Sequence, residues 1–125
     1  MKNLLTATAV IEAGAGLALL ALPATVLFGP TLDSAAGATV VRVAGAALLA
    51  IGVACWLARG DAQRRAARGL VGGLVIYNVG TVATLAYAGM VMGLSSSGLL
   101  PAALIHAVMT VWCVASLATG RAPPR

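Results

Sequence analysis

Four long apolar runs alternate with short polar breaks along the chain, at about 4–22, 36–58, 70–92 and 99–118. Each run suffices to cross the ~30 Å hydrocarbon core of a bilayer, which takes about 20 helical residues. The pattern predicts an all-α fold, a four-transmembrane-helix bundle, with 1–120 as a single domain and 121–125 as a disordered cytoplasmic tail. The punctuation agrees with those limits. Pro23 ends or kinks the first span, because proline removes a backbone donor and clashes with the preceding turn. Residues 24–28 are expected as a short interfacial helix, and Gly29-Pro30 as a break. Asp33-Ser34 suits an N-cap for the second span. Leu94-Ser-Ser-Ser-Gly98 reads as a tight polar turn, and Pro101 falls in the first turn of the fourth span, where proline is tolerated.

Composition strengthens this picture. The chain is 61% hydrophobic and 9% charged, against roughly 25% charged residues in ordinary globular domains. Too few polar side chains are present to coat a water-soluble surface. The 15 glycines fit as well, since glycine is more frequent in transmembrane helices than in soluble ones. A secretory signal peptide competes for the first run, which opens Met-Lys-Asn and offers a cleavage-like Ala21-Leu-Pro-Ala24. Glu12 in the middle of that run argues against it.

Charge sets the expected orientation. Lys2, then Arg59, Arg64, Arg65 and Arg68, then Arg121 and Arg125 flank the spans on one side; the opposite links carry only Asp33. By the positive-inside rule both termini are expected in the cytoplasm, with the spans in the inner (plasma) membrane. Trp56 and Trp112 lie near the cytoplasmic ends of their spans, where aromatic belts occur. The net charge of +5 does not imply nucleic-acid binding, because the basic residues sit at span ends and form no aromatic-interleaved patch. Cys55 and Cys113 fall inside apolar runs without a C-x-x-C spacing, so they read as small buried hydrophobes. No P-loop, dinucleotide fingerprint, zinc-protease motif or nucleophile elbow is present. We therefore expect no enzyme activity, no metal and no cofactor.

The chemistry concentrates in one strongly polar residue per span: Glu12, Arg42, Asn78 and His106. Charges at the bilayer centre cost about 2.5–3.5 kcal/mol on insertion scales, so they are expected to face the bundle interior and find partners. At ~1.5 Å per residue from the cytoplasmic ends, Glu12 and Asn78 lie about 12 Å deep, His106 about 18 Å and Arg42 about 24 Å. Arg42 can reach down to the others or snorkel to the outer headgroups. Thr8, Glu12 and Gly16 share a helix face; so do Arg42, Gly45, Leu49, Gly52 and Trp56; so do His106, Thr110 and Cys113. Tyr77 adjoins Asn78. Gly69/Gly73 and Gly89/Gly93 form G-x-x-x-G pairs of the kind that lets helices approach closely. Such a polar core suits the head of a lipophilic ligand such as a quinone, a proton relay, or an interhelical network that fixes register.

Leu20-Ala-Leu-Pro23 with Phe28-Gly29, Arg42-Val-Ala-Gly45 with Gly52, Tyr77-Asn78, and His106 with Trp112 together resemble the DoxX-like group of small four-helix bacterial membrane proteins. The resemblance covers nearly the whole chain. It implies a small bundle serving as an accessory subunit of a larger membrane assembly, and it supplies no catalytic residues. On this reading the partners are membrane lipids, a lipophilic small molecule, and further protein subunits or copies of the chain; nucleic acid is not among them. The alternative is a small multidrug-resistance-like proton-coupled transporter, whose membrane-embedded glutamate in the first helix Glu12 resembles. Arg42 within the membrane and the strong charge bias depart from that pattern.

Overall fold

The computed structural model describes residues 1–23, 34–61, 65–96 and 98–119. Every regular element among them is helical: α1 (Lys2–Ala21), α2 (Ala35–Ala58) followed by a 3₁₀ turn (Arg59–Asp61), α3 (Arg65–Met90) and α4 (Leu99–Thr119). All four are long and apolar enough to cross a membrane. The expected helix at 24–28, the Gly29-Pro30 break, Asp33, Arg64 and the tail 121–125 lie outside the described residues.

Local chemistry sets the helix ends. α1 stops at Ala21, and its last turn closes through Leu22 N–H to Ala18 C=O at 2.9 Å. Proline at the next position disfavours helical backbone in the residue before it. Ser34 caps α2 from extended backbone, its Oγ accepting from Gly37 N–H at 3.0 Å. α3 begins at Arg65, earlier than the apolar run, because arginine and alanine extend a helix readily. It ends at Met90, two residues before the predicted limit. Its final turn widens, with Met92 N–H reaching Tyr87 C=O and Leu94 N–H reaching Ala88 C=O. Gly93 adopts φ +65°, a left-handed conformation that glycine reaches without a Cβ penalty, and the chain leaves the helix there. Gly93 is thus a helix terminator, not half of a packing pair with Gly89.

The chain divides into two compact units. Leu5–Gly60 form one; Met1–Leu4 group with the residues from Asp61 onward in the other. In the first unit, α1 and α2 pack through glycine. A Cβ at Gly16 would stand 2.6 Å from Leu49 N and 2.7 Å from Gly45 O. One at Gly45 would meet Gly16 O at 2.9 Å, and one at Gly52 would meet Ala13 N at 2.8 Å. These distances leave no room for any side chain, so the two backbones touch directly. The close approach falls at Gly16, Gly45 and Gly52 and not at the G-x-x-x-G pair Gly69/Gly73, which has open space where its Cβ atoms would be. In the second unit α3 and α4 pack together, burying Val71, Leu74 and Asn78 from α3 and Met109, Cys113 and Ser116 from α4. Each unit holds one fully buried thiol, Cys55 in the first and Cys113 in the second.

Outward faces are apolar. Leu57 is 73% exposed, Ile76 77% and Val111 70%. In water each would be costly at about 25 cal/mol per Å² of apolar surface; in a bilayer no such cost arises.

Candidate functional site

In the second unit, Asn78 lies one helical turn beyond Leu74 on the face of α3 that packs on α4, and is 1% exposed. Its Nδ2 donates to Leu74 C=O at 2.7 Å. That bond orients the amide, because the reversed amide would set oxygen against oxygen. Asn78 Oδ1 then faces His106 Nδ1 at 2.7 Å across the helix pair. An amide oxygen only accepts, so His106 Nδ1 carries the proton and donates. In the neutral ring Nε2 is then the acceptor. Tyr77 meets the same imidazole edge to face, with ring centroids 5.4 Å apart and planes at 85°. Thr110 Oγ1 donates to His106 C=O at 2.8 Å. Its hydroxyl proton therefore satisfies its own helix and does not extend the cluster across it. Thr81 and Thr84 do the same to Tyr77 and Gly80 C=O.

At the other end of this pair, Arg68 Nη2 donates to Leu117 C=O at 3.2 Å. Leu117 lies in the last turn of α4, whose carbonyls have no partner within the helix. A cation there also matches the negative end of the helix dipole. Sequence patterning alone could not single out Arg68 among the basic residues, because the contact joins positions 49 residues apart.

In the first unit, Thr8, Glu12 and Gly16 are all buried, as their shared face predicts. Glu12 is 4% exposed. Thr8 Oγ1 has no hydrogen-bond partner among the described residues, unlike the other threonines that bond their own helix. Arg59 stacks on Trp56, with its guanidinium carbon 3.2 Å from the ring centroid, and its Nε donates to Trp56 C=O at 3.1 Å. This arginine and tryptophan form an amphipathic pair of the kind that suits a membrane interface.

Of the two courses open to Arg42, reaching down to the other polar residues or turning outward, the structure shows the outward one. Arg42 is exposed, on the stripe of α2 that also exposes Thr39, Ala46, Val53 and Leu57. The expected stripe of Arg42 with Gly45 and Gly52 splits for a geometric reason. Three residues leave a net offset of about 60°, and the buried stripe of α2, Val41, Gly45, Gly52 and Cys55, is centred about 100° from Arg42, so Arg42 falls beyond its edge. Register separates it from Glu12 as well. Gly52 packs beside Ala13 and Ala9, so Glu12 is level with that part of α2, and Arg42 lies about 15 Å further along the axis at ~1.5 Å per residue. Of the four signature residues, the structure brings Asn78 and His106 together, with Tyr77 beside them, and keeps Arg42 away from Glu12.

The grooves on the described surface are shallow and apolar. One of about 310 Å³ runs between α1 and α2, lined by Ala9, Ala13, Gly52 and Trp56 among others. A second, of about 330 Å³, is formed by Val79, Val82, Ala83, Ala107 and Thr110 between α3 and α4. Neither is lined by Glu12, Asn78 or His106. Among the described residues no group of three or more histidine, cysteine or acidic side chains gathers as a metal site would require.

No family model matches the chain, and neither does any curated protein or solved structure. Its class rests on the fold: four apolar helices, consistent with a small multi-pass membrane protein.

Proposed function

We propose that the chain is a non-enzymatic accessory or binding subunit of a bacterial inner-membrane assembly, with both termini cytoplasmic, in the manner of the DoxX-like proteins it resembles. One observation carries this reading. The polar side chains between α3 and α4 bond each other and their own helices, while the outward faces, Arg42 apart, are largely apolar. A network with both the nitrogen and the oxygen of the Asn78 amide engaged fixes the register of a helix pair. The apolar faces suit lipid or further helices. On this reading a lipophilic molecule such as a quinone would lie in the groove along Val79, Ala83 and Thr110, which Asn78 and His106 do not line.

Purification from native membranes in mild detergent, with mass spectrometry of co-purifying proteins and lipids, tests the proposal. A stoichiometric protein partner or bound lipophile is expected; a lone monomer carrying neither would end it.

The burial of Glu12 beside Thr8 and Gly16 favours one second reading, a proton-coupled transporter in which this carboxylate alternates between proton and cation. Proteoliposomes under an imposed pH gradient separate the two. A subunit moves no cation in response to the gradient, and Glu12→Gln leaves its insertion intact. A transporter shows flux that Glu12→Gln abolishes.

A further inference from the structure

Arg42 is a cation within a membrane-length helix, on an exposed flank. Its neighbours are apolar: Val40 and Val43 are 68% and 65% exposed. No described side chain hydrogen-bonds or ion-pairs with the guanidinium. A permanent positive charge on such a face requires an anion or water, because lipid tails offer neither.

Geometry selects which. Arg42 lies two turns into α2, about 10 Å from its start at Ala35 at ~1.5 Å per residue. The far end at Ala58 is more than twice as distant. Side chains on a helix lean toward its N-terminus, so Arg42 leans toward the nearer membrane surface. α2 has 24 residues, about 36 Å at that rise, and so overhangs a ~30 Å hydrocarbon core by a few ångströms at each end. An extended arginine, reaching roughly 6 Å, then sets its guanidinium at the boundary between acyl chains and headgroups. The group that resides there is the phospholipid phosphate, and a headgroup of net negative charge presents it without the ammonium that offsets it in phosphatidylcholine. The tetrahedral oxygens of the phosphate match the planar fork of a guanidinium, which binds them in bidentate fashion.

We propose that Arg42 is an anionic-phospholipid site, holding the phosphate of a headgroup in the leaflet at the N-terminal end of α2, with the acyl chains along Ala46 and Val53. This goes beyond the accessory role and holds whether or not a protein partner exists.

Native mass spectrometry of the detergent-solubilised full chain tests it, with phosphatidylglycerol or phosphatidylcholine titrated in. Wild type should retain one more phosphatidylglycerol than R42Q, the affinity of that lipid falling about fivefold in the variant. R42K, which keeps the charge without the fork, should lie between. Equal phosphatidylglycerol retention by wild type and R42Q overturns the proposal. So does equal affinity of the wild type for the two lipids, a comparison that needs no variant to fold. Displacement of the lipid by millimolar inorganic phosphate would mark a site for the free anion and overturn it too. Loss in R42Q of a co-purifying protein, with lipid retention unchanged, would assign Arg42 to a partner's carboxylate instead. Flotation of the wild type with vesicles checks membrane residence separately, so failure of the lipid site and failure of the membrane reading are distinguishable.

Discussion

Between α1 and α2, backbone meets backbone: Gly16 faces Leu49 and Gly45, and Gly52 faces Ala13, with no side chain between them. Between α3 and α4, side chains bridge the gap, and Asn78 and His106 join by a hydrogen bond of 2.7 Å. Bilayer lipid is as apolar as leucine, so burying leucine gives helices little reason to associate. The two pairs display the two remedies available. One brings helices close enough for dispersion and weak Cα–H contacts; the other links them by a polar bond that lipid cannot replace. The first remedy has no tolerance for added atoms. The second has no tolerance for lost ones.

Gly16→Leu offers the harshest test of that contrast. Its new Cβ alone would overlap the α2 backbone, so the cost should reach or exceed the upper end of the ~1–3 kcal/mol of ordinary overpacking. Gly73→Leu adds a Cβ that meets nothing within 4 Å. It should be neutral or stabilising by up to about 1 kcal/mol through helix propensity. Reversible unfolding in mixed micelles measures both, and similar losses for the two would remove the close-packing account. Asn78→Leu comes next. It strands the His106 Nδ1 proton, with an expected loss of about 1–3 kcal/mol. Adding His106→Leu should recover part of it, since both polar partners are then gone. The double-mutant cycle should return a coupling of about 0.6–1.7 kcal/mol; a coupling near zero would mean that the bond does not hold the pair. Arg68→Gln should have the smallest effect. It weakens a contact with the last turn of α4 and should cost about 0.3–1 kcal/mol, read as faster hydrogen exchange at Ser116–Thr119 with the rest of α4 unchanged.

The helices were legible in the sequence because one property, uninterrupted apolar length, decides them, and Pro23, Ser34 and Gly98 mark where the runs stop or start. α3 alone ran well past its apolar limit, since Arg65 to Arg68 are good helix formers whose polarity says nothing against helix. The site was legible only in part. Thr8, Glu12 and Gly16 share a buried face as their spacing of four implies, and Asn78 and His106 are both polar residues on faces that do meet. The direction of Arg42 stayed open because helical spacing tells which residues share a face but not which face a neighbouring helix covers. Only the contact at Gly45 and Gly52 settles that. The G-x-x-x-G pairs misled for the same reason: Gly69 and Gly73 permit close approach, but a permissive surface does not supply a partner.

Cys55 and Cys113 are each inaccessible, one in either helix pair. The chain thereby carries a built-in pair of chemical stopwatches. A membrane-permeant thiol reagent will modify each sulfur only as fast as its own pair parts, and peptide mapping will tell the two adducts apart. Two different rates would say that the halves breathe independently, whereas a single shared rate would say that they open as one.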